Sequence, residues 1–216
     1  MILYGSSLSP FVRKVLAYAG EKGLELDLQP TGLADPNPEF RKASPFGKMP
    51  AFSDGDFHLA DSSAIIHYLE AKHPDPQLIP ADPKLRGKTI WYDEFADTIL
   101  AGCGAKMFFN RIVAPIFLKR EGDLAAADIA EREELPKCLD YIESVAPEGD
   151  GYLVGDRLTL ADIAVAGPFA NLKHLNVAVD SARWPKTAAF THRILSRPSF
   201  APWIEREAAL LQKMAA

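Results

Sequence analysis

Over the first seventy or so residues, short apolar runs alternate with stretches of helical spacing. Residues 2–4 form a brief apolar run closed by Gly5, Ser6 and Ser7, which predicts a strand. Val12, Val15, Leu16 and Ala19 then recur at i, i+3, i+4 and i+7, predicting a helix with one buried face that Gly23 ends. Leu24, Leu26 and Leu28 alternate with Glu25 and Asp27, the pattern of a half-buried strand. A proline-rich stretch over 30–38 leads into a short helix near 39–42. Pro45-Phe46-Gly47-Lys48 reads as a turn, and residues 51–53 and 57–59 flank Asp54-Gly55-Asp56 as a hairpin. A helix opening at Asp61 or Ser62 runs through Ile65, Ile66, Tyr68 and Leu69 to about Lys72. Strand, helix, strand, hairpin and helix in that order predict a mixed sheet with helices packed on it.

The pattern changes after His73-Pro-Asp-Pro-Gln-Leu-Ile-Pro-Ala-Asp-Pro, whose four prolines exclude a helix interior and suit an inter-domain linker. Beyond it no alternating pattern is found. Long helical patterns run from about Pro83 past Asn110, over 123–145, over 160–172, over 184–195 and over 200–213. The expected organisation is a first domain over 1–75, a proline-rich linker over 76–87 and an all-helical domain over 88–216. Thr159, Asp162, Leu158 and Ile163 together predict a capping box with a hydrophobic staple, a folding element rather than a site.

Composition narrows the function classes. Hydrophobic residues at 48% and charged residues at 25% suit a globular chain. The net charge of −5, without a Lys/Arg run, argues against nucleic acid as a partner. No uninterrupted apolar stretch approaches the roughly 20 residues needed to span a bilayer, and the opening residues read as a strand rather than a signal peptide. Cys103 and Cys138 fall in helical patterns without metal-ligand spacing, and suit reduced thiols in a cytoplasmic protein.

Three local features carry candidate chemistry. Ser9-Pro10-Phe11-Val12 stands where a strand passes into a helix. Pro10 suits the first helical position, and Ser9 the cap, beside free amides and the positive end of the helix dipole. That place favours a thiolate, although a serine there also suits a plain helix cap. Met49-Pro50 enters a short strand after a turn and is a candidate cis bond. If cis, it turns the Met49 amide and carbonyl outward for an extended peptide; an ordinary trans proline at a strand start fits the same residues. Asp61-Ser62 opens a helix whose free amides and hydroxyl suit a carboxylate, with Asp61 placed to meet an ammonium group; a helix cap is again the plainer reading.

The order of these features, followed by the proline linker, the helical half and the Thr-Leu-Ala-Asp box, resembles the cytosolic glutathione S-transferase family over essentially the whole chain. The Ser-Pro-Phe-Val element looks most like its serine-type classes, tau and zeta among them, in a bacterial-looking variety. The resemblance implies an α/β thioredoxin-like N-terminal domain and an all-α C-terminal domain. It also implies a cytoplasmic homodimer with a detoxifying role that takes glutathione as co-substrate, without a metal, and conjugates it to a small apolar electrophile.

By position, the hydroxyl that meets the glutathione sulfur falls on Ser9, with Ser6, Ser7 and, less favourably, Tyr4 as rivals. Because it is a serine and not a cysteine, conjugation is favoured over thiol exchange. Met49, before Pro50, pairs with the cysteinyl part; Asp61 and Ser62 grip the γ-glutamyl end, although Asp is one methylene shorter than the commoner Glu; Lys48 faces the glycyl carboxylate. Phe11, Met107, Phe108, Phe109, Arg111 and Ile112 are expected at the co-substrate pocket, where core packing competes as an explanation for each. Arg111 either binds an anionic co-substrate or pairs with an acid. Peroxide reduction, isomerisation and dehalogenation use the same thiolate, and a non-catalytic regulatory role is the remaining alternative on this fold.

Overall fold

The computed structural model describes residues 1–32 and 35–215. Leu33 and Ala34, inside the proline-rich stretch, and Ala216, at the end of the helical half, lie outside the described residues. The first part is β1 (Ile2–Gly5), α1 (Pro10–Glu21), β2 (Asp27–Pro30), α2 (Pro38–Ala43), β3 (Ala51–Asp54), β4 (Phe57–Ala60) and α3 (Ser62–Lys72). The sheet order is β2-β1-β3-β4, with β1 parallel to β2 and β3 antiparallel to both its neighbours. Alternation along the strands separates two faces. Leu3 and Phe52 enter the main core with α1 and α3, whereas Tyr4 and Ala51 pack with Phe40 of α2 on the other side. This is the thioredoxin-like mixed sheet expected from the sequence.

Two expectations change here. The strand read from Leu24 to Leu28 forms only from Asp27, which stands opposite Ile2 of its parallel partner. Leu24 and Leu26 instead pack their side chains against the core from irregular backbone. Helix α1 is buried nearly all round rather than on one face, since Arg13 and Lys14 are as inaccessible as Val12 and Val15. The hairpin forms as expected: Asp54 pairs with Phe57 across Gly55-Asp56, and Gly55 supplies the positive φ of 62° that the tight turn needs.

All elements after residue 72 are helical among the described residues. Helix α4 (Pro83–Glu94) passes through a π-helical segment, Phe95–Leu100, into α5 (Ala101–Phe108), and through a second one, Phe109–Phe117. The result is one rod from Pro83 to Phe117, 35 residues long, which by length and composition alone reaches what a membrane span requires. Its Tyr92, Phe95, Leu100, Cys103 and Met107 are buried in the main core, as in the central helix of a bundle. α6 (Leu124–Ile129) and α7 (Leu135–Val145) likewise join through a π-helical turn, Ala130–Glu134.

The single helix expected over 160–172 is two, α8 (Leu160–Ala166) and α9 (Phe169–His174). Pro168 has no N–H for the preceding turn, so the ladder breaks at Gly167-Pro168. α10 (Pro185–Leu195) and α11 (Ala201–Ala215) complete the chain. The capping box is present at Thr159: the Asp162 carboxylate accepts the Thr159 amide at 2.9 Å, the Thr159 hydroxyl at 3.2 Å and the Leu153 amide at 2.8 Å.

The proline-rich segment between α3 and α4 is anchored by a buried polar cluster. Lys22 Nζ has three hydrogens and three acceptors: Glu70 Oε2 at 2.6 Å, the His73 carbonyl at 2.7 Å and the Pro76 carbonyl at 2.8 Å. Glu70 Oε1 accepts the amides of Leu78 and Ile79 at 3.2 and 3.1 Å, and Tyr18 donates its hydroxyl to Oε2. Burial first, then the bond and the charge of Glu70, push the Tyr18 phenol well above its ordinary range. Replacing Glu70 with Ala strands Lys22 and two amides, and is expected to destabilise the fold by about 3–5 kcal/mol, read as a lower urea midpoint at unchanged slope.

Candidate functional site

The site begins where β1 hands over to α1. Gly5, with φ of 148°, lets the chain pass close to the helix: a Cβ there would lie 2.6 Å from Val12 Cγ2 and 3.3 Å from Met49 Cβ. The following turn is closed by the Ser9 amide donating to the Ser6 carbonyl at 2.9 Å. Ser9 takes the N-cap position ahead of Pro10, with extended backbone, yet its hydroxyl accepts no bond from the helix amides. Asn37, Asp61, Asp82 and Asp123 do cap their helices with their side chains. Ser9 therefore has the place of a cap without the bond that defines one.

Of the rivals, Tyr4 is buried on the opposite face of the sheet, its ring 6.3 Å from that of Phe40, and does not belong to this site. Ser6 Oγ accepts the Leu8 amide at a long 3.4 Å, and Ser7 is half-buried in the same turn.

Met49–Pro50 is cis. The Met49 amide and carbonyl have no partner among the described residues. The close approach to Gly5 sets this edge beside the Ser9 turn. The Ser44 hydroxyl donates to the Lys48 carbonyl at 2.7 Å and accepts the Lys48 amide at 3.0 Å, which fixes the backbone and leaves the Lys48 side chain exposed. Arg41 lies over Gly47, adding a second cation at this edge.

Asp61, with φ of 80°, uses Oδ1 to accept the Ser63 and Ala64 amides at 2.9 and 3.1 Å, so it caps α3 as well as standing at its entrance. Ser62 is buried, and its hydroxyl donates to Asp97 Oδ2 at 3.2 Å; its amide has no partner among the described residues.

Behind Ser62 lies a cluster that the sequence reading missed. Lys14 Nζ reaches Asp93 at 2.7 Å, Asp97 at 2.5 Å and the Ser63 hydroxyl at 3.2 Å, and Ser63 donates to Asp93 at 2.7 Å. This ties the start of α3 to α1 and to the long rod. Two carboxylates face one ammonium here, and burial pushes the Asp97 carboxyl up despite Lys14. The i, i+4 spacing of Asp93 and Asp97 was the available signal, since it places both acids on one helix face.

The expected co-substrate residues divide. Phe108 packs with Leu8 and Leu211 in a small cluster flanked by Ile112, Val113 and Leu175, so Phe108 and Ile112 stand against the residue next to Ser9. Phe11 is half-buried at the start of α1, and Phe109 is half-buried with the Arg120 guanidinium 5.3 Å above its ring. Met107 is wholly inaccessible in the main core and lines no surface. Arg111 pairs with Glu131 and with Asp128, the latter at 2.7 Å, which is the acid-pairing alternative rather than a cation held ready for a co-substrate. Two open cavities, of about 550 and 740 Å³, lie elsewhere, one beside the linker and one between α9, α10 and α11.

Family models described as the N-terminal and C-terminal domains of glutathione S-transferase match residues 3–77 and 108–207. A glutathione S-transferase of Hyoscyamus muticus is 33% identical over 210 residues, covering 95% of this chain and 98% of the relative. The chain belongs to the glutathione S-transferase family. The transferase is also similar to the crystal structure of glutathione transferase F7 from Populus trichocarpa, with a TM-score of 0.82 and 28% identity over 94% of this chain and 97% of the other. A glutathione S-transferase from Methylobacterium radiotolerans, in complex with glutathione sulfonate, gives a TM-score of 0.76 and 29% identity over 94% and 93% of the two chains. Glutathione is the co-substrate of the family to which the chain belongs.

Lys14→Met would leave Asp93 and Asp97 without their cation, and is expected to cost about 3–5 kcal/mol at neutral pH. The Asp97 carboxyl, already raised by burial, would then lose the opposing pull of Lys14 and rise further above its unfolded value, so its protonation favours the folded form. The deficit should therefore narrow as the pH falls from 7 to 5, measured as melting temperature against pH beside the parent enzyme.

Proposed function

We propose that the Ser9 hydroxyl donates a hydrogen bond to the glutathione sulfur and holds it as a thiolate, which then attacks a small apolar electrophile. The observation that carries this is the Ser9 hydroxyl at the mouth of α1, which has no hydrogen-bond partner among the described residues. A free thiol titrates near about 8.5, and each unit of depression represents about 1.36 kcal/mol. A charge-assisted bond supplies about 1.5–3 kcal/mol, and the helix terminus up to about 1–2 more in a partly buried place. Together they suffice to make the thiolate dominant near neutrality without a separate general base.

In this reading the tripeptide lies extended along Met49–Pro50, whose unpaired amide and carbonyl match its backbone. The Ser62 amide and the α3 terminus receive the γ-glutamyl carboxylate. Asp61, with Oδ1 engaged at its helix, meets the ammonium through Oδ2. Lys48 takes the glycyl carboxylate. The electrophile lies against Phe11, Phe108 and Ile112.

The glutathione half spans 1–75 and the electrophile half 88–216, joined over 76–87. The working form is a cytoplasmic homodimer, a reading supported by Phe46, an aromatic side chain 90% exposed that a second copy would cover.

Ser9→Ala is expected to raise the pKa of bound glutathione by about 1–2 units, since about 1.36 kcal/mol corresponds to one unit, with little change in glutathione affinity. Ultraviolet titration of the bound thiolate measures this. An unchanged pKa would transfer the role to Ser6, Ser7 or the α1 amides.

A further inference from the structure

A single buried guanidinium joins α1 to the helical half. All five of its N–H groups are used: Nε and Nη2 of Arg13 contact the two Glu207 oxygens at 3.0 Å each, Nη1 donates to the Gly167 carbonyl at 3.0 Å, and Nη1 and Nη2 both donate to Asn171 Oδ1, at 2.9 and 3.0 Å. A guanidinium can only donate, so Asn171 must turn its oxygen toward Arg13. That leaves the Asn171 amide nitrogen facing the other way. It donates to the carbonyl of Leu8 at 2.9 Å.

Leu8 precedes Ser9, so this carbonyl belongs to the Leu8–Ser9 peptide. The other polar end of that same peptide, the Ser9 N–H, donates to the Ser6 carbonyl at 2.9 Å. Both ends of one peptide plane are therefore tied, and the plane's orientation sets the direction of the Ser9 Cα–Cβ bond. The Leu8 side chain is held from the same side by Phe108 and Leu211.

We propose that Asn171 is a positioning residue for the thiolate: by fixing the Leu8–Ser9 peptide from the helical half, it sets the aim of the Ser9 hydroxyl at the sulfur. This rests on the role given to Ser9 above. The helical half thereby acts on the glutathione half as well as supplying a surface for the electrophile. A misplacement of about 1 Å in such an arrangement is enough to cost up to about a hundredfold in rate.

The test compares four variants of the full-length enzyme. Asn171→Ala removes the donor without adding charge, and Asn171→Asp removes it while keeping the oxygen that Arg13 needs. Glu207→Gln disturbs the same buried cluster but leaves the Leu8 bond, and Ser9→Ala reports on the hydroxyl itself.

Both Asn171 variants are expected to raise the pKa of bound glutathione by about one unit. Each should lower kcat/KM about tenfold at pH 6.5, with the loss recovered on the alkaline plateau and glutathione affinity held within about twofold. Glu207→Gln should lower the melting temperature without moving the pKa. Should Asn171→Ala fail to fold, Asn171→Asp carries the measurement.

A pKa that moves in Ser9→Ala but in neither Asn171 variant overturns this proposal and leaves the role of Ser9 standing. A pKa unmoved in Ser9→Ala overturns the role of Ser9, and this inference with it. Equal pKa shifts in Glu207→Gln, or a rate loss uniform across pH, would reduce Asn171 to a structural part and also overturn it.

Discussion

Arg13 lies at the boundary between the sheet-bearing half and the helical half with no exposure to solvent. A charge in that position is tolerable only when it is fully paired, because its removal from water is otherwise prohibitive. Glu207 neutralises it, two neutral oxygens complete its donors, and His174 Nε2 lies 2.8 Å from Glu207 Oε2, the oxygen that Arg13 Nη2 also contacts. The requirement to satisfy this one guanidinium dictates where α9 and α11 pass, which way Asn171 turns and how the Leu8–Ser9 peptide is held. The break at Gly167-Pro168 belongs to the same requirement. It places the Gly167 carbonyl where it accepts from Arg13.

Arg13 is one of several charged links that leave α1. Lys14 ties the helix to α3 and the long rod, and Lys22 ties it to the linker. Glu21 accepts two bonds from Arg197, at 2.7 and 2.8 Å, and one from Ser199. Burial alone would raise the Glu21 carboxyl, but those bonds outweigh it and hold it below the usual range. The helix that opens at Ser9 is thus also the helix on which the two halves are registered.

Much of this was legible from the chain. Apolar periodicity located β1, α1, the hairpin and the long helices, and turn chemistry at Asp54-Gly55-Asp56 and the Thr159 box located their ends. The family resemblance selected the correct fold and reaction class from motifs that are weak singly. What escaped were the buried charges. Periodicity counts Arg13 and Lys14 as polar and assigns them to solvent, and only the partners on distant helices show otherwise. Asn171 and Glu207 lie more than 150 residues from Arg13 along the chain, and no local pattern links them. The patch on the long rod likewise left pocket and core open for Met107, and co-substrate and acid pairing open for Arg111, because composition does not say which side of a helix meets the core.

The charged pairs that run from α1 to the helical half have an implication for how such a transferase diversifies. Swinging one half away from the other would separate the Arg13–Glu207, Lys14–Asp93 and Glu21–Arg197 pairs together. Relative motion of the halves is opposed by these pairs, which favours an acceptor cleft already formed before the substrate arrives. Discrimination among acceptors must then reside in the shape of individual lining side chains. On the proposed function, single substitutions at positions such as Phe11 or Ile112 would shift acceptor preference while the residues proposed to hold glutathione stay unchanged.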